Sequence, residues 1–278
     1  MNRVLSRKGR RTLICWLLLS PLVILVLFPF AVMLVTALKP ASEVLRPTWW
    51  PSTLRWENFV TMWNATNFGR ALWNSVFVSV LSTIIAIIVS VPAAYAMSRF
   101  NFRAKGFFQQ FLLISQMLSP IVLVIGLFRL VVWLGLIDSL NSVVFVYAAF
   151  AIAFSVWMLQ SYFATIPKDL EEAAWIEGAS AWKALVWVFL PLAVPAMTVT
   201  AIFAFINAWN EFVIALTMLR TQESYTLPIQ VFSLVAGRYT VEWHHVMAAA
   251  LVATLPVAIV FAWLQRFMVR GLALGSVK

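Results

Sequence analysis

The chain has 278 residues, of which 63% are apolar and only 11% charged, with a formal net charge of +10 at pH 7. A soluble domain carries about a quarter charged residues, so most side chains here must face something other than water. The basic residues sit in short clusters beside apolar runs, which points to membrane orientation and excludes nucleic-acid binding. Cys15 is the only cysteine, so neither an intrachain disulfide nor a cysteine metal cluster can form.

Residues 1–12 form a basic N-terminus containing Arg3, Arg7, Lys8, Arg10 and Arg11. Leu13–Leu38 follows with no ionisable side chain except Cys15. It exceeds the roughly 20 residues a spanning helix needs and the h-region of a cleaved signal peptide, so it reads as a first span. Five further apolar runs follow at Ala71–Met97, Phe107–Phe128, Asn141–Phe163, Pro191–Leu216 and Val246–Leu264. Backbone polar groups cannot go unpaired in hydrocarbon, so all six are expected to be helices. The expected fold class is all-α, a polytopic membrane protein with six transmembrane helices within residues 13–264.

Most lysines and arginines fall in residues 1–12, 98–106, 164–190 and 265–278, which places both termini in the cytoplasm. Residues 39–70 and 217–244 are then external loops. Trp49, Trp50, Trp56 and Trp63 in the first suit interfacial anchoring. His244 and His245 lie close to Glu242, but adjacent residues on a helix or strand point in different directions, and no metal site is expected. Prolines 21, 29, 92, 120, 195 and 256 lie in or at the ends of spans. Asn207, Asn210 and Glu211 are polar groups in the fifth span, where three- and four-residue spacing places Asn207 on one face with the other two. They suit either a solute passage or helix–helix hydrogen bonding, while Gln116 and Asn74 read as structural.

The 164–190 segment is neither loop-like nor membrane-like. Thr165 can cap a helix, Pro167 fits a first turn, and Asp169, Glu171 and Glu172 suit its positive end. Gly178 is placed to end that helix. Ser180 can cap a second short helix running to Val188, before Leu190-Pro191 turns the chain back into the membrane. The result is a two-helix knob, readable either as a docking element or as an amphipathic linker on the membrane surface.

The spelling of this segment carries a resemblance. Glu172-Ala173-Ala174, three residues, Gly178, nine residues and Val188-Phe189-Leu190-Pro191 resemble the EAA loop of binding-protein-dependent ABC importer permeases. Asn74-Ser75, Ala94-Tyr95-Ala96-Met97-Ser98-Arg99-Phe100, Trp209-Asn210-Glu211-Phe212 and the tail Gly271-Leu272-Ala273-Leu274-Gly275-Ser276-Val277-Lys278 resemble the carbohydrate, maltose-type group, on the side of its smaller permease subunit.

This resemblance implies a type I ABC importer permease with loop 165–191 as the coupling element. Glu172, Ala173, Ala174, Gly178, Ala179, Leu190 and Pro191 would meet a separate ATPase, and the tail residues Gly275, Ser276, Val277 and Lys278 would touch it as well. It further implies a homologous second permease, a dimer of ATP-binding subunits, a periplasmic solute-binding protein and a bacterial inner-membrane location. No catalytic residue is expected. The chain contains no Gly-x-x-x-x-Gly-Lys-Ser/Thr loop, so this chain is expected to bind no cofactor, with ATP and magnesium in the partner ATPase. Carbohydrate-like cargo, including glycosides, polyols or glycerol phosphates, is the first expectation. A non-sugar importer and an ion-coupled secondary transporter are the alternatives, the latter resting on Glu211 and Arg129 as membrane ionisable groups.

Overall fold

The computed structural model describes residues 7–236 and 239–275. Among them every long element is a helix: α1 (Arg7–Ala37), α2 (Glu57–Ala65), α3 (Phe68–Arg99), α4 (Lys105–Met117), α5 (Pro120–Trp133), α6 (Leu140–Phe163), α7 (Asp169–Ile176), α8 (Ala181–Ala184), α9 (Leu190–Asn210), α10 (Val213–Met218), α11 (Leu227–Ser233) and α12 (Trp243–Gly275). Five helical stretches are long and apolar enough to cross a membrane, and a sixth span results if the bent α4–α5 pair counts as one.

Two expected spans are not continuous. Helices α4 and α5 meet at 101° across Leu118-Ser119. Pro120 has no N–H to continue α4, and the residue before a proline is pushed out of helical conformation; Ser119 accordingly lies at φ −67°, ψ 135°. The fifth span breaks at Glu211-Phe212, after which the short α10 begins. Conversely, the expected turn at Leu190-Pro191 is absent. The chain stays helical from Ala181 to Asn210, passing through a π turn at Leu185–Phe189 in which the Leu190 N–H donates to the Leu185 carbonyl. An extra residue in the turn keeps the backbone helical where the Pro191 ring would oppose regular α geometry. At the C-terminal end α12 continues to Gly275; Ser276, Val277 and Lys278 lie outside the described residues.

The chain forms two compact units. In the first, the segment after α1 is folded rather than loose. Asn58 donates to the Ala37 and Lys39 carbonyls at 2.8 and 2.9 Å, Lys39 donates to the Thr48 carbonyl, and the Glu43 carboxylate accepts from the Ser52 N–H and hydroxyl. This unit also holds Glu242, His244 and His245, whose donor atoms lie within 4.8 Å of one another. The two rings stand 4.2 Å apart, so the expectation that adjacent histidines diverge was wrong. His245 Nδ1 is already paired with Glu242 at 2.8 Å, and the first turn of α12 puts a positive helix end beside any cation; the cluster is therefore read as a helix-start contact.

The second unit is built on α3, α6 and α9. At one end Ala94, Tyr95, Leu159, Phe163, Leu185, Phe189 and Ala193 form a closed apolar core. At the other, Val78, Val143, Tyr147, Ile214 and Met218 form a second. Asn74, buried at 2% exposure, donates to the Glu223 and Tyr225 carbonyls at 2.8 and 2.9 Å. Ser75 accepts from the Leu227 N–H at 2.7 Å. Asp138 accepts from the Arg220 and Thr221 N–H groups at 2.8 and 3.2 Å. These bonds fix the 217–226 segment against the heads of α3 and α6.

Candidate functional site: the two-helix knob and the cavity beneath Glu211

Helix α7 begins later than its sequence suggests. Thr165 is turned back to the Tyr162 carbonyl and ends α6 rather than capping α7. The Glu171 and Glu172 N–H groups bond the Lys168 carbonyl at 2.9 and 3.0 Å. The expected acidic first turn is present as Asp169, Glu171 and Glu172. Gly178 ends the helix at φ +85°, with Gly178 N–H on the Trp175 carbonyl and Ala179 N–H on the Ala174 carbonyl, both at 2.9 Å. That bond pair is a Schellman stop, which needs a left-handed residue and favours glycine. Ser180 then caps α8 from an extended backbone, its hydroxyl accepting from the Lys183 N–H at 3.4 Å.

The two adjacent glutamates have opposite surroundings. Glu172 is exposed with Ala173 and Gly178, while Ala174 and Ala179 are half-buried. Glu171 is 3% exposed. Its Oε2 lies 3.1 Å from Arg99 Nε as an ion pair lacking hydrogen-bond angles, and its Oε1 accepts from the Tyr95 hydroxyl at 2.5 Å. Arg99 also donates to the Ile166 carbonyl at 2.6 Å, with its guanidinium 4.8 Å from the centre of the Phe189 ring. Sequence reasoning used Arg99 as an orienting charge and, with Tyr95, as part of the Ala94–Phe100 resemblance, and missed this cluster. The available signal was an arginine at the end of an apolar span followed by a doubled glutamate where one suffices to start a helix.

The knob exposes large apolar side chains among its charged ones. Ile176 is 87% exposed, and Leu170, Trp175, Trp182 and Trp187 are also exposed. Such a patch marks a protein or membrane contact. Leu190 is half-buried and Pro191 exposed at the base.

Deeper in the same unit, a cavity of about 370 Å³ is lined by Ser115, Gln116, Tyr147, Phe150, Phe154, Phe203, Asn207 and Glu211, among others. Asn207 and Glu211 thus come together, whereas Asn210 is exposed and does not line the cavity. Glu211 is tightly engaged. Its carboxylate accepts from the Ile214 and Ala215 N–H groups at 2.9 and 3.2 Å and from the Tyr147 hydroxyl at 2.5 Å. It caps α10 across the break in the fifth span. Gln116, expected to be structural, joins the cavity lining while donating weakly to the Phe150 carbonyl at 3.4 Å.

An all-helical membrane subunit with a surface knob defines the class. Residues 86–274 match the family described as the binding-protein-dependent transport system inner membrane component, and the chain belongs to that family, the permeases of ABC transporters. Relatives include the trehalose/maltose transport system permease protein MalG of Thermococcus litoralis, 35% identical over 92% of both chains. The diacetylchitobiose uptake system permease protein DasC of Streptomyces coelicolor is 33% identical over 90% of this chain and 91% of that one. A chain of the bacterial ABC transporter that imports the acidic polysaccharide alginate superposes with a TM-score of 0.78, covering 95% of this chain and 99% of that one at 23% identity, which establishes the fold.

Proposed function

We propose that this chain is the membrane permease subunit of an ATP-driven importer for a carbohydrate or carbohydrate-like solute, driven by a separate ATPase that seats on residues 165–191. The carrying observation is the knob itself: Glu172, Ala173, Trp175, Ile176 and Gly178 form an exposed, largely apolar face on helices whose inner side is pinned by the buried Glu171. Small residues at Ala173 and Gly178 let a partner's surface approach closely. The assembly contains a homologous second permease, a dimer of ATP-binding subunits holding ATP and magnesium, and an external solute-binding protein. Both termini face the cytoplasm, and Gly275–Lys278 supplies a second contact with the ATPase.

The carbohydrate assignment is supported by relatives named for trehalose/maltose, diacetylchitobiose and sulfoquinovosyl glycerol transport. Asn207 and Gln116, which line the cavity, offer amide donors and acceptors that suit hydroxyl-rich cargo. Aromatic walls from Phe150, Phe154 and Phe203 suit sugar faces.

Glu172→Lys tests the docking face. The variant inserts in the membrane normally but loses both ATPase retention on purification and uptake. Normal uptake with the ATPase bound overturns the assignment. The cargo is tested separately by mass spectrometry of the solute carried by the cognate binding protein, and a non-carbohydrate solute there overturns that part.

A further inference from the structure

We propose that Arg99, Glu171 and Tyr95 form a clasp that carries motion of the knob into α3, so that α3 and α9 move together when the ATPase works. The proposal rests on the docking role of residues 165–191 and adds a second output for it. Within the unit, the main packing neighbours of α7 are α8 and the π turn, and both continue into α9. Those contacts transmit displacement to α9, which carries Asn207 to the cavity. The side-chain link from α7 to α3 is the clasp: Glu171 holds Arg99 and Tyr95, both from the end of α3. Arg99 reaches further to the Ile166 carbonyl after α6 and to the Phe189 ring in the π turn. Tyr95 also packs edge-on against Phe189, with ring centres 4.9 Å apart. One hub thereby joins α3, the end of α6, α7 and the root of α9.

The chemistry suits a rigid link. Both charged side chains are nearly fully buried, at 5% and 3% exposure, so water does not screen or exchange with the pair. The guanidinium is always charged and presents its donors in a fixed plane. The Ile166 carbonyl uses one donor direction, Glu171 pairs with the guanidinium through charge, and the face covers Phe189. An apolar contact of equal area could slide; a buried ion pair with a third hydrogen-bonded partner holds one orientation. These are positioning residues, since none of the three lines the cavity.

The test uses the full complex with its ATPase in lipid nanodiscs. Cys15→Ser removes the native thiol, and Ser115→Cys places a reporter in the cavity wall. Maleimide labelling is compared without nucleotide and after trapping with MgATP and vanadate. With the clasp intact, trapping changes the labelling rate by about fivefold or more, the lower end of ordinary coupling between sites. The Arg99→Met/Glu171→Leu double variant leaves no lone buried charge, so it assembles. It keeps its ATPase and hydrolyses ATP, yet the trapping effect falls below about twofold, short of that range. Arg99→Lys with Glu171 retained recovers part of the effect, a rescue that packing alone would not give. A full trapping effect in the double variant overturns the clasp. If the double variant fails to assemble, Tyr95→Phe decides, because it keeps the ion pair and drops one bond: a reduced effect supports the clasp and an unchanged one overturns it. Absence of any trapping effect in the intact chain, or normal ATPase retention and uptake by Glu172→Lys, overturns the docking role beneath it.

Discussion

Gly178 offers the sharpest perturbation of the knob, because its geometry separates backbone strain from side-chain bulk. Its φ of +85° is in the left-handed region, yet a Cβ built there meets nothing within 4 Å. Any penalty is therefore conformational and not steric toward neighbours within this chain. A left-handed L-residue costs about 1–2 kcal/mol, offset by about 0.4–1 kcal/mol when Gly→Ala restricts the unfolded chain. The net for Gly178→Ala is about 1 kcal/mol, or about a fivefold loss in the population of the native bend at about 1.36 kcal/mol per tenfold. Asn tolerates this region and stays near the glycine value, whereas β-branched Val is a genuine outlier and exceeds Ala.

The assay is initial uptake per unit of membrane-inserted protein, paired with the thermal midpoint of the purified complex. Loss in the order Gly, Asn, Ala, Val, seen in uptake, midpoint or both, is expected. Wild-type behaviour of Gly178→Val in both measurements refutes the strain argument. Equal loss in Asn and Val would instead show that side-chain volume against the docked partner matters and that the φ value does not.

Asn74→Ala orphans the Glu223 and Tyr225 carbonyls in a buried setting, at about 1–3 kcal/mol for each unsatisfied group, and should lower the thermal midpoint of the purified complex without abolishing ATPase binding. Glu211→Ala strips the cap from α10 and should reduce folded protein, whereas Asn207→Leu should leave its amount unchanged and raise the apparent KM for uptake; the reverse pattern would exchange their roles. Burial pushes the Asp138 carboxyl up, but bonds from the Arg220 N–H and from Thr221 outweigh it and hold the group below its ordinary value. A depressed folded value means the contribution is complete above about pH 3.9 and is lost as pH falls through the folded value. The midpoint gap between wild type and Asp138→Asn, measured by thermal shift, should therefore be full at pH 7 and close below about pH 4.

The membrane class was fixed by composition, since so few charges over 278 residues leave helices in lipid as the economical solution. The knob was also legible locally. Gly178 and Ser180 act where their spelling put them, because a helix stop and an N-cap depend on backbone geometry within a few residues. Thr165 misled for the same reason: its hydroxyl had two local carbonyl or amide choices, and the end of α6 took it. What no window of sequence could supply was the division of labour between Glu171 and Glu172, adjacent and chemically identical. Only the tertiary structure, which brings the end of α3 within side-chain reach of α7, buries one on Arg99, 72 positions away, and leaves the other on the surface. The same holds for Glu211, which spacing grouped with Asn207 and Asn210 on an unbroken helix. The break at Glu211-Phe212 turned its carboxylate onto α10 and Tyr147, because the free N–H groups of the buried Ile214 and Ala215 at a helix start must find an acceptor.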